Sequence, residues 1–146
     1  MEYNVVIDTN VLISAFINPK GLPSKLLEFW KKGYFRLLIS DYLIEEFNEV
    51  IHRPKIKDKY KIREEEITEL NQLILEKAIL INIKGDLKLC RDITDNKILE
   101  TAIIGKANYL ITGDIDILNE DLLKELSMKS IKIIGVREYL RVLMRK

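Results

Sequence analysis

A chain of 146 residues with 47% apolar and 32% charged content is long enough to fold as a single domain, residues 1–146, around one hydrophobic core. One cysteine, Cys90, excludes an intramolecular disulfide framework, and together with a single histidine, His52, it leaves too few soft ligands for a zinc centre. The formal net charge of +1 identifies no partner by itself, no apolar run approaches the roughly 20 residues that cross a bilayer, and Met1-Glu2-Tyr3-Asn4 is no basic leader, so a cytoplasmic location without membrane attachment is expected.

Val5-Val6-Ile7 is a short apolar run ending in Asp8 and reads as a first, buried strand. A helix begins over Val11 to Phe16 and is interrupted by Asn18-Pro19-Lys20-Gly21. Pro23 opens a second helix through Leu26, Leu27 and Trp30 that stops at Gly33. Phe35 to Ile39 is the second strand, and Ser40 is placed to cap the helix that follows it toward Pro54. After a charged stretch, Ile67, Leu70, Leu73 and Ile74 mark another helix, and Leu80 to Ile83 a third strand. Thr94 and Asp95 start a helix running through Ala107, Tyr109 to Ile111 is a fourth strand, Ile131 to Ile134 a fifth, and a closing helix lies around Tyr139 to Met144. Strands alternating with helices over this length predict an α/β fold, a parallel sheet with helices on both faces in a three-layer α/β/α sandwich.

Ligands of open parallel sheets bind beyond the carboxyl ends of the strands. Asp8 ends the first strand, Asp114 and Asp116 follow the fourth, Asp95 opens the helix after the third, and Glu46 lies in the second turn of the helix after the second. At about 100° per residue, Asp95 projects along the middle of the apolar face Ile98, Leu99, Ala102 and Ile103, where a carboxylate is costly unless paired. Glu46 projects at the flank of the face formed by Leu43, Ile44, Phe47, Val50 and Ile51, whereas Glu45 and Glu49 point away from it. Each acid also has an ordinary structural role open to it. Asp95 can cap a helix, Asp8 or Asn10 can cap the first one, Asp114 and Asp116 can be turn residues, and Glu46 can simply be solvated. Capping does not explain why four acids share one rim.

Carboxylates about 4 Å apart repel by roughly 4 kcal/mol at an effective dielectric near 20, so such a group needs a counter-charge. Oxygen-only ligands select a hard cation, Mg²⁺ or Mn²⁺, and the reaction class that fits is phosphodiester hydrolysis. A Ser-His-Asp hydrolase is disfavoured, because His52 sits at a basic helix end away from the rim, and no phosphate-binding Gly-rich loop follows the first strand. From residue 53 to 63 six basic side chains, Arg53, Lys55, Lys57, Lys59, Lys61 and Arg63, stand against the single acid Asp58. This imbalance suits a nucleic-acid backbone, with Tyr60 available to stack on a base; the alternative is a solvated connector whose charges meet Glu64, Glu65 and Glu66.

Four segments taken together, Val5 to Leu12, Ser40 to Glu46 with His52-Arg53-Pro54, Asp92 to Lys97, and Ala107 to Asp116, resemble the PIN-domain family in the family's order and over nearly the whole chain. The resemblance implies a Rossmann-like sheet in the order 3-2-1-4-5, Mg²⁺- or Mn²⁺-dependent endoribonuclease activity on RNA, and a frequent homodimer. It carries the family's acidic positions onto Asp8, Glu46, Asp95 and Asp114, with Asp116 auxiliary, and makes Asn10, Asn96 and Thr112 supporting or water-positioning groups. Arg53-Pro54 looks closest to the branch of toxins from toxin–antitoxin pairs, which implies an antitoxin partner. Two rival readings are open to the same residues: a haloacid dehalogenase-like phosphatase, which normally has Asp-x-Asp where this chain has Asp8-Thr9-Asn10, and a non-catalytic nucleic-acid-binding adapter on the same fold, against which the intact acidic set argues.

Overall fold

The computed structural model describes residues 2–85, 93–113 and 126–145, the side chains of 93–95 excepted. In chain order these form β1 (Asn4–Ile7), α1 (Thr9–Ile17), α2 (Leu22–Lys31), β2 (Arg36–Ile39), α3 (Asp41–Ile51), α4 (Glu64–Lys77), β3 (Ile79–Leu80), α5 (Ile93–Ile104), β4 (Tyr109–Ile111), β5 (Lys132–Ile134) and α6 (Val136–Met144). The strands make one parallel sheet in the order β3-β2-β1-β4-β5, flanked by helices in a three-layer α/β/α arrangement, as expected.

The unbroken apolar character of β1 follows from its central place. Val5, Val6 and Ile7 are buried between neighbours on both sides, with Val6 opposite both Leu38 and Leu110. Leu26, Leu27 and Trp30 of α2 and Leu43, Phe47 and Ile51 of α3 are buried in the hydrophobic core, and Phe47 meets Phe16 of α1 with ring centroids 5.9 Å apart. Gly33 ends α2 as anticipated. Its φ of +86° lies in the left-handed region, and it donates to the Trp30 carbonyl while Tyr34 donates to that of Phe29, closing the last turn. At the opposite end of α5, Gly105 is required by proximity: a Cβ there would stand 2.9 Å from Leu38 Cδ1 and from the Thr101 carbonyl.

Several boundaries differ from the expectation. The third strand is Ile79–Leu80 rather than Leu80 to Ile83; it is an exposed edge strand, and pairing ends once Ile81 has donated to Ile39. The α5 helix stops at Ile104 rather than Ala107, because Gly105 and then Lys106, at φ +54°, reverse the chain into β4. The closing helix begins three residues before Tyr139, with Gly135 at its N-cap. Ser40 does hold the N-cap position of α3, but its hydroxyl makes no capping bond; it meets Thr101 Oγ1 of α5 at 3.0 Å instead.

Candidate functional site at the carboxyl edge of the sheet

The register of the two central strands creates the site. Ile7 of β1 is paired with Ile111 of β4, so the next residue on each strand, Asp8 and Thr112, emerges at the same edge. The Asp8 amide donates to the Ile111 carbonyl at 2.9 Å, and the Thr112 amide donates to that of Ile134 at 3.1 Å, so both backbones are held to the last ladder positions. Thr112 Oγ1, in a buried side chain, then donates to Asp8 Oδ2 at 2.8 Å. Asp8 Oδ1 accepts the Asn10 amide at 3.3 Å as the N-cap of α1. The capping role open to Asp8 in the sequence is therefore present, and it uses only one of the two oxygens. Each oxygen keeps a lone pair beyond the bond it accepts.

The helices after β2 and β3 are stitched together over this edge. Thr101 Oγ1 lies 2.8 Å from the Lys97 carbonyl and 3.0 Å from Ser40 Oγ; with one proton on each hydroxyl, both bonds form when Thr101 donates to Lys97 and Ser40 donates to Thr101. One turn toward the start of α5, Lys97 Nζ sits 4.5 Å from the centre of the Tyr42 ring on α3. Glu46 follows Tyr42 by one helical turn. It is half-buried, between buried Leu43 and Phe47 and exposed Glu45 and Glu49, the flank position that helix periodicity predicted. Asp95 is the third residue of α5, inside the helix rather than at its N-cap. Asn96 is buried and Asn10 exposed.

Asp8 and Thr112 are thus in direct contact, and the segments bearing Glu46, Asp95 and Asn96 converge on the same edge. The side chain of Asp95, and Asp114 and Asp116 altogether, lie outside the described residues. Among the described residues, no three His, Cys, Asp or Glu side chains come together as a metal-holding group. The donor set at this edge is carboxylate and hydroxyl oxygen, which suits a hard divalent cation and not a thiophilic one.

One residue absent from the sequence-derived set takes part in shaping this edge. Glu100 is buried on α5, and its Oε2 accepts the backbone amides of Lys84 at 2.8 Å and Gly85 at 3.1 Å, anchoring the chain that leaves β3. The signal was legible as a carboxylate four residues after Asn96 in an otherwise apolar helical stretch.

The basic segment is partly neutralised within the protein. Arg53 makes a forked pair with Glu49 at 2.7 and 2.9 Å, Lys57 reaches Glu64 at 3.4 Å, and Arg63 meets Glu66 at 3.0 Å. Among the described residues Lys55, Lys59 and Lys61 have no carboxylate partner, and Lys59 lies 5.3 Å from the Tyr60 ring. His52 stands at the C-cap of α3, with Nδ1 2.6 Å from the Asn48 carbonyl and Nε2 3.0 Å from both oxygens of Glu64. Since α3 starts at the carboxyl edge, this end of the helix lies away from it, as expected for His52.

Comparison with known proteins agrees with this architecture. The family model of the PIN domain matches residues 4–116. The chain is 34% identical over 119 residues to the uncharacterized protein MJ1680 of Methanocaldococcus jannaschii, covering 82% of this chain and 76% of that one. Its fold is similar to the crystal structure of VapBC2 from Rickettsia felis bound to a DNA fragment from their promoter, with a TM-score of 0.53, 17% identity, and coverage of 90% of this chain and 98% of that chain.

Proposed function

The chain belongs to the PIN-domain family, and from that premise we propose that it is a divalent-metal-dependent endoribonuclease whose single nuclease domain spans residues 1–146. The observation that carries the reading is the Asp8–Thr112 pair, a half-buried carboxylate oriented by a buried hydroxyl at the carboxyl end of the central strand. In this reading Asp8, Asp95 and Asp114 hold Mg²⁺ or Mn²⁺, Asp116 is auxiliary, and Glu46 holds the ion or orients water. When bound, the ion supplies charge neutralisation at the phosphodiester and acidifies water.

The chain's own groups do the rest. Thr112 fixes the rotation of the Asp8 carboxylate, so that it needs no reorganisation when substrate arrives. Asn10 and Asn96 are supporting groups that position water, and the acidified water, not an amide, offsets the absence of a histidine base at this rim. Lys55, Lys59 and Lys61, the cations of the basic segment without internal carboxylate partners, are the best placed to neutralise RNA phosphates, with Arg53, Lys57 and Arg63 exchanging partners when RNA binds. The reading extends to a homodimer and to a toxin–antitoxin pair with an antitoxin protein as partner, supported by the Arg53-Pro54 resemblance and the VapBC2 likeness. Among the described residues no helix is long and apolar enough to cross a membrane.

Asp8→Asn is the direct test, because an asparagine still accepts the Asn10 amide and preserves the α1 cap. Mn²⁺-dependent cleavage of single-stranded RNA is expected to vanish while the circular dichroism spectrum is unchanged. Equal cleavage by variant and wild type would remove the assignment, and tight RNA binding with no cleavage by either would identify an adapter.

A further inference from the structure

A cleft of about 450 Å³ lies between α2 and α6, within the roughly 300–1,000 Å³ of ordinary ligand sites. Its apolar surface comes from Leu22 and Phe29 on one wall and Leu140 and Met144 on the other, with Met144 75% exposed. The rim is cationic: Lys25 stands on α2 and Lys32 at its C-cap, with Arg137 and Arg141 along α6. The one acid lining the cleft, Glu28, is already matched by Lys31 at 3.7 Å, and none of the four rim cations has a carboxylate partner among the described residues. In a chain whose charges otherwise nearly cancel, four such cations around one apolar trough are a local excess.

We propose that this cleft docks an acidic amphipathic helix of a partner protein. The apolar trough accepts side chains recurring at i, i+3 or i+4, and i+7, and the rim pairs with Glu or Asp on the flanks of that stripe. Charge decides among occupants. A second copy docked symmetrically would set the same four cations against themselves, since an isologous interface joins identical patches. A nucleic acid would satisfy the rim but leave the Leu22, Phe29, Leu140 and Met144 surface against a polar backbone. The inference does not depend on the nuclease reading, and its readout requires no cleavage.

The test is fluorescence anisotropy of the full-length chain with two labelled helical peptides that share one leucine stripe, flanked by Glu in one and by Lys in the other. The Glu peptide is expected to bind saturably and more weakly as salt rises. Arg141→Glu and Met144→Glu, both at exposed positions, are each expected to lower its affinity at least tenfold without altering the circular dichroism spectrum. Lys25→Glu on the facing wall supplies a third variant should either of these lose its fold. Absence of saturable binding, equal binding of the Lys peptide, or unchanged affinity in the folded variants would overturn the proposal. So would displacement of the peptide by an RNA oligonucleotide, or a dimer in sedimentation that Met144→Glu dissociates.

Discussion

At the residue scale, the most consequential contact is the 2.8 Å bond from Thr112 to Asp8 Oδ2. A hydrogen bond to a charged group contributes about 1.5–3 kcal/mol, and here it also holds the carboxylate in one orientation. Thr112→Val keeps the shape and deletes the donor. If the nuclease reading holds, cleavage is expected to fall about tenfold or more, the cost of roughly 1.4 kcal/mol or above in the transition state. Thr112→Ser should restore most of it. A valine variant as active as wild type in initial-rate assays would show that Asp8 needs no orienting partner. Tyr139 presents the contrary case. Its hydroxyl is buried with no hydrogen-bond partner among the described residues, and burial raises the phenol well above its ordinary value. Its ring is nevertheless held edge-on by Phe35 at 5.5 Å and Tyr109 at 5.1 Å. Packing, not hydrogen bonding, keeps it there.

At the scale of elements, α3 and α4 are joined by polar pairs. Asn48 and Asn71 exchange reciprocal amide bonds at 2.7 and 3.0 Å, and His52 links the end of α3 to the start of α4 through Glu64. Both ring nitrogens of His52 face acceptors, the Asn48 carbonyl and the Glu64 carboxylate, an arrangement only the doubly protonated imidazolium can satisfy. The Glu64 hydrogen bond accordingly raises His52 above its ordinary 6.5, and His52 lowers Glu64 below 4.5. The histidine's contribution to stability is complete below pH 6.5 and is lost as pH rises through the raised value. That of Glu64 is complete above pH 4.5 and is lost as pH falls through the lowered value. The pair therefore acts fully between those limits, and its exposure keeps the effect small. We expect the thermal midpoint of wild type to decline above pH 6.5 relative to His52→Gln. As this is the only histidine, its proton NMR titration reads the raised value directly; a midpoint at or below 6.5 would contradict the geometry.

At the scale of the whole molecule, the site depends on a core it does not touch. Phe47 is completely buried beside Glu46 and packed on Phe16, so the placement of the α3 flank that carries Glu46 is set by aromatic contact between α1 and α3. Truncating a core phenylalanine to alanine costs about 3–5 kcal/mol, a large part of the roughly 5–15 kcal/mol that stabilises an ordinary domain. Phe47→Ala should lower the urea midpoint accordingly, with loss of cleavage following loss of fold. A loss below about 1 kcal/mol would mean that the site closes over the cavity.

Local pattern was enough for much of this protein. Apolar runs ending in an acid or a turn announced β1 and β4, helix periodicity set Glu46 at a flank between buried Leu43 and Phe47, and Pro23 and Gly33 bracketed α2, because these features answer to neighbours only a few residues away. The family resemblance carried the sheet order, which short-range pattern cannot contain. Strand register, by contrast, is settled by partners about a hundred positions distant, and only the assembled sheet brought Thr112 against Asp8. The same holds for Ser40, whose hydroxyl left its local cap for Thr101 of α5, and for Glu100, a carboxylate whose backbone-amide partners exist only once β3 and α5 are packed. Hydrogen bonds between distant segments are made by the fold, so they become visible only when it is complete.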